Sequence, residues 1–127
     1  MQAILLVGAG GALGAVARYG TGALFARLGL HGFPWATMTA NVTGSFVMGL
    51  LIGWLALALT DSQNELRLFL AVGVLGGFTT FSSFSLDAIT LFERGEWLPA
   101  AGYVLFSVVL SLAGLMAGLA ITRGLAS

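Results

Sequence analysis

Gly76-Gly77-Phe78-Thr79-Thr80-Phe81-Ser82-Ser83-Phe84-Ser85 lies in the middle of an otherwise apolar stretch. Leu68-Phe69-Leu70-Ala71-Val72 precedes it, and Ile89, Leu91 and Phe92 follow it. A lipid-facing helix has no use for five hydroxyls and two adjacent glycines at its centre. Backbone that leaves the helix at membrane depth must be buried in protein or line a wet cavity. The run therefore predicts a broken span with a binding or permeation site at the break.

Composition agrees with a membrane setting. Of 127 residues, 58% are hydrophobic and 8% charged, against roughly 25% charged in a soluble domain. A soluble chain of this length would lack a polar coat. The net charge is zero, which argues against a nucleic-acid partner. With no cysteine and one histidine, neither a disulfide framework nor a thiolate or histidine-rich metal site is available. Ala15-Val16-Ala17 imitates a signal-peptide cleavage site, but only Met1 and Gln2 precede the apolar run, with no Lys or Arg.

Around the interrupted stretch, three more segments reach the ~20 apolar residues that a span requires. The first runs from about Ala3 to Phe25 and the second from Pro34 to Leu59. The interrupted third runs from Leu66 to Phe92 and the fourth from Leu98 to Ile121. Pro34 suits a helix start and Trp35 an interfacial belt. Short loops at Arg27–Phe33, Thr60–Glu65 and Glu93–Trp97 join them, so the chain is expected to be one all-α membrane domain over residues 1–127. Each span carries glycines four apart: Gly10 and Gly14, Gly49 and Gly53, Gly73 and Gly77, Gly114 and Gly118. Such pairs let helix backbones approach closely, either within one bundle or between subunits.

Orientation has no strong signal. Four spans put both termini on one side, with Arg67 and Arg123; Arg18, Arg27 and Arg94 lie on the other. Two against three gives no usable positive-inside bias. Either other signals orient the chain, or it inserts both ways and pairs antiparallel with itself.

Polar residues inside the spans are spaced regularly. Thr37, Asn41 and Ser45 fall at i, i+4 and i+8, as do Tyr103, Ser107 and Ser111. Each set makes a stripe on one helix face, for interhelical hydrogen bonds or for a polar track. The donors are neutral, and neutral donors can hold an anion without trapping it. Phe78, Phe81 and Phe84 fall three apart; they are core or lipid packing, or their positive ring edges face an anion. Arg18 is either a snorkelling interfacial residue or an anion-attracting vestibule cation. Asp87 is deep enough that it should face protein or water. Asp61, Glu65, Glu93, Arg94 and Glu96 look like solvated loop charges, and His31 has no evident task. No nucleophile–base pair or phosphate loop is present, which argues against an enzyme. Gly8-Ala9-Gly10-Gly11 lacks the strand–helix context of a dinucleotide loop.

The chain resembles the CrcB or Fluc fluoride channels. The resemblance is carried by Gly10-Gly11-Ala12-Leu13-Gly14-Ala15-Val16-Ala17-Arg18-Tyr19, by Thr39-Ala40-Asn41-Val42-Thr43-Gly44-Ser45-Phe46, and most specifically by residues 76–85. Ser83 stands where Thr is commonest in the family, and Asp87 where Glu is frequent. The resemblance implies a fluoride-selective channel that lowers cytoplasmic fluoride by passive export, built as an antiparallel dual-topology homodimer in the cell (inner) membrane. It implies a pore with Phe81 and Phe84 beside the ion, Asn41 as a donor, Tyr103 and Ser111 on the fourth-span track, and Arg18 in the vestibule; the hydroxyls of Ser82, Ser83 and Ser107 are expected in the same pore. It also implies a structural sodium ion on backbone carbonyls of Gly76 and Thr79. There the two glycines would let the helix open and turn carbonyls inward. Two other classes compete: a proton-coupled four-span exporter, which usually needs an acid mid-way in its first span where this chain has none, and a non-transporting subunit, which leaves residues 76–85 without a purpose.

Overall fold

The computed structural model describes residues 1–58 and 62–126. The expected end of the second span at Leu59 and the loop charge Asp61 lie outside the described residues. Four helical stretches are long and apolar enough to cross a membrane: Gln2–Arg27, Trp35–Leu57, Gln63–Glu93 and Trp97–Leu125. We call the first two α1 and α2. The third span is composite. It is α-helical over Gln63–Leu66, π-helical over Arg67–Leu75 and α-helical again over Gly76–Phe78; it then breaks and restarts at Phe81–Glu93. The last helix is Trp97–Ala126.

Two glycines in the left-handed region end helices in the same way. Gly29 has φ +79 and Gly95 has φ +80. After each, the chain folds back: Leu30 N donates to Phe25 O, and Glu96 N to Leu91 O. A side chain at either position would be strained, so glycine marks both turns.

All four glycine pairs pack within one chain. Gly10 and Gly14 of α1 meet Gly73 and Gly77 of the third span. A Cβ at Gly77 would stand 2.5 Å from Gly11 O, and one at Gly73 only 2.9 Å from Gly10 Cα. Gly49 of α2 faces the Leu115 carbonyl, Gly53 faces the Thr122 side chain, and Gly118 faces Phe46 and Gly49. The bundle is thus two tight pairs, α1 with the first half of the third span and α2 with the last helix. Lipid supplies no hydrophobic drive between helices, so this backbone proximity and its dispersion energy hold each pair together. A small apolar cluster of Phe84, Leu91, Ala100 and Tyr103 joins the second half of the third span to the last helix.

The break is not where the glycines alone would place it. Gly76 is ordinary helix, with φ −63 and ψ −37, so its conformational freedom is not what opens the span. The chain leaves the helix at Thr79 (φ −87, ψ 155) and Thr80 (φ −154, ψ 127). β-Branched residues favour such extended backbone. Gly77 serves close approach to α1 instead. Gly14→Ala is therefore expected to lower the melting temperature of the detergent-solubilised protein, by an overpacking penalty of about 1–3 kcal/mol. Gly76→Ala, whose new Cβ would meet nothing nearer than Ala71 O at 3.6 Å, is expected to cost distinctly less.

Candidate permeation site at the helix break

Extended residues at Thr79 and Thr80 free backbone groups that a continuous helix would pair. Thr79 N still closes on Leu75 O at 3.0 Å, and its hydroxyl donates to the same carbonyl at 2.9 Å. Thr80 is held from α2: its N–H donates to Asn41 Oδ1 at 2.8 Å, and Asn41 Nδ2 donates to Thr80 O at 3.0 Å. One side-chain amide thus satisfies both peptide groups of a single residue. Gly44 on α2 permits this approach, because a Cβ there would press on the Phe78 ring at 3.3 Å and overlap the Thr79 methyl. Thr80 then caps the restarted helix, its hydroxyl accepting from Ser83 N at 3.1 Å, the usual role of a threonine N-cap. From α1, Arg18 Nε donates to Gly77 O at 3.1 Å.

Beside the break lies an open cleft of ≈ 320 Å³, lined by Asn41, Ser45, Phe81, Phe84, Ser107 and Ser111 with Thr79 and Thr80. None of its lining residues is charged. The phenyl rings of Phe81 and Phe84 sit 5.5 Å apart. Phe84 is 8% exposed and Phe81 77% exposed, so one ring belongs to the wall and the other to the open side. Ser107 is only 4% exposed, and its Oγ has no hydrogen-bond partner among the described residues. An unmet buried hydroxyl costs about 1–3 kcal/mol.

Of the expected pore residues, Asn41, Phe81, Phe84, Ser107 and Ser111 come together here. Ser83 lies with Arg18 in an adjoining recess of ≈ 240 Å³ that shares Thr80 with the cleft. Ser82 sits on the outer face of the restarted helix, its hydroxyl 3.3 Å from that of Thr80. Tyr103 is not on the cleft wall. It is fully buried behind Phe84, and its hydroxyl donates to Asp87 Oδ2 at 3.1 Å. Asp87 accordingly faces protein, at the edge of an outer recess shared with His31 and Arg94. Arg94 ties the loops, donating to Gly32 O at 3.2 Å and pairing with Glu96 at 3.0 Å.

Sequence reasoning did not anticipate the double pairing of Asn41 with Thr80 or the bond from Arg18 to Gly77 O. A Thr just before the restarted helix was a readable N-cap signal; the two long-range bonds left no local trace. The break also fits a small cation. Thr80 N is given to Asn41, so Gly76 O loses its i+4 donor; Ser83 N is given to Thr80 Oγ1, so Thr79 O loses its own. Carbonyl oxygens suit a hard cation, although one chain offers too few to complete a shell.

These observations define a class: a four-span helical membrane protein whose third span breaks beside a neutral, hydroxyl-lined cleft. Residues 5–119 match the family described as CrcB-like protein, Camphor Resistance (CrcB), and the chain belongs to that family. It is 58% identical over 123 residues to the fluoride-specific ion channel FluC of Rhodospirillum centenum, covering 97% of each chain. It is 54% identical over 122 residues to the protein of that name from Agrobacterium fabrum, covering 96% of this chain and 97% of the relative.

The clamp makes a separable expectation. Asn41→Ala removes acceptor and donor, so the Thr80 amide should lose its hydrogen-exchange protection and stability should fall by about 1–3 kcal/mol. Asn41→Asp keeps the acceptor and should leave that amide protected.

Proposed function

We propose that this protein is a fluoride-selective channel that exports the anion passively. The observation that carries the reading is the uncharged cleft, where the orphaned Ser107 hydroxyl converges with Asn41, Ser45, Ser111 and two phenyl rings. The names of the relatives supply the ion. Asn41 Nδ2 uses one hydrogen on Thr80 O and keeps the other for an ion. Hydroxyls and ring edges complete a partial shell for a small, strongly accepting anion. Chloride is larger and accepts hydrogen bonds more weakly, so it gains less there. Arg18 raises the anion concentration at the adjoining recess without placing a full charge in the cleft.

A channel suffices for export, and no enzymatic step is needed. Hydrogen fluoride crosses lipid as a neutral acid and ionises in a near-neutral cytoplasm. An inside-negative potential of 100 mV then favours exit by about 2.3 kcal/mol per charge.

The working unit in this reading is an antiparallel, dual-topology homodimer. Two features support it. The cleft is open on the side of Phe81, and lipid cannot satisfy its amide and hydroxyls. The arginines divide two against three, so neither orientation is favoured. Two copies about a two-fold axis would bring two breaks together. Gly76 and Thr79 of each would then hold a structural sodium, whose charge satisfies the freed carbonyls and links the subunits.

Liposomes holding the purified protein are expected to release fluoride far faster than chloride; no anion flux would end the reading. Phe81→Ile and Phe84→Ile should each strongly reduce fluoride flux while the dimer stays folded, since volume is roughly kept and the ring edge is lost. Reporters at the C-terminus that work on one side of the membrane should give signal on both sides. Signal from a single side would refute dual topology while leaving the channel reading intact. Prolonged sodium removal should lower dimer stability.

A further inference from the structure

A continuous row of aromatic rings connects the loop between α1 and α2 to the cleft. Trp35 and Phe33 have centroids 4.6 Å apart. Phe33 meets Tyr103 edge-on at 5.5 Å and 90°. Tyr103 lies 5.2 Å from Phe84, and Phe84 lies 5.5 Å from Phe81. Only the last two rings line the cleft.

We propose that Phe33 is a positioning residue for the cleft, acting through Tyr103 on Phe84. The inference rests on the channel reading and deepens it. Tyr103 is confined on three sides. Its hydroxyl is bonded to Asp87, one neighbour is Phe84, and another is the edge-on Phe33. Remove the Phe33 ring and Tyr103 gains room to tilt. Because Tyr103 backs Phe84, that tilt changes which part of the Phe84 ring meets the ion. Edge and face of a phenyl ring carry opposite partial charge, so a modest rotation matters more to an anion than to packing. The backbone around Phe33 is tied on both sides. The preceding residue, Gly32, has its carbonyl held by Arg94, which pairs in turn with Glu96. Trp35 N donates to Phe33 O at 2.8 Å.

The test uses the full-length protein in liposomes, with the dimer checked by size exclusion. Phe33→Leu, which keeps bulk but removes the ring, is expected to lower fluoride flux about three- to tenfold, the effect that one aromatic pair's orientation energy can support. It should also lower the fluoride-to-chloride flux ratio. Phe33→Tyr should restore both. In a Tyr103→Leu background, Phe33→Leu should add no further loss, because the path through Tyr103 is already gone. Phe92→Leu serves as the comparison: it breaks another loop-level ring pair, Phe92 with Trp97, and should leave flux and selectivity unchanged. A second readout does not depend on conduction. With 4-fluorophenylalanine at position 84, the fluorine resonance should shift on Phe33→Leu and not on Phe92→Leu. Wild-type flux and ratio in folded Phe33→Leu, fully additive losses, or an unmoved fluorine resonance would each overturn the proposal. If the wild-type protein carries no fluoride, the channel reading fails, and the resonance still decides whether Phe33 positions Phe84. Should Phe33→Leu not yield a dimer, Phe33→Met is read by the same criteria.

Discussion

A peptide group at membrane depth has to find its partner inside the protein. Thr79 and Thr80, both extended, violate the helix that would have supplied those partners. The Asn41 amide answers for both peptide groups of Thr80, and Arg18 answers for Gly77 O. Everything around the break follows from keeping these two reaches short. α2 must lie close enough for Asn41, so residue 44 has no side chain to spare. α1 must lie close enough for Arg18, so glycines line both sides of its contact with the third span.

The same arrangement separates charge from the cleft. Arg18 lends its guanidinium to a backbone carbonyl and lines a neighbouring recess, while the cleft wall carries amide, hydroxyl, phenyl and aliphatic groups and no charge. A full charge in a low-dielectric wall would bind a counter-ion tightly. Neutral dipoles bind weakly enough to let it go. Asp87 does not line the cleft; its carboxylate accepts from the Tyr103 hydroxyl behind Phe84.

Much of the surface of each span faces out of the bundle. Among the described residues, no span buries more than 28% of its apolar window within the bundle, and the cleft opens beside the largely exposed Phe81. Apolar exposure is what lipid requires. Exposed amide and hydroxyl groups beside it are not, and this contrast is the physical basis for expecting a second protein surface there.

Hydropathy and side-chain period are local properties, and they decided much by themselves. The four spans, the interruption near residue 80 and the two stripes 37/41/45 and 103/107/111 were all legible, because each depends only on residue type and spacing along one helix. Even the glycine pairs were visible, though not their partners. Tertiary structure alone decided that α1 pairs with the third span and α2 with the last helix, and that the Asn41 amide clamps the break at Thr80. It also turned Arg18 inward to Gly77 O and sent the Tyr103 hydroxyl to Asp87, away from the cleft that its stripe-mates Ser107 and Ser111 line. Each of these is a distance between different helices. A helical stripe says which way a side chain points from its own axis; only the packing of the neighbouring helix says what it meets.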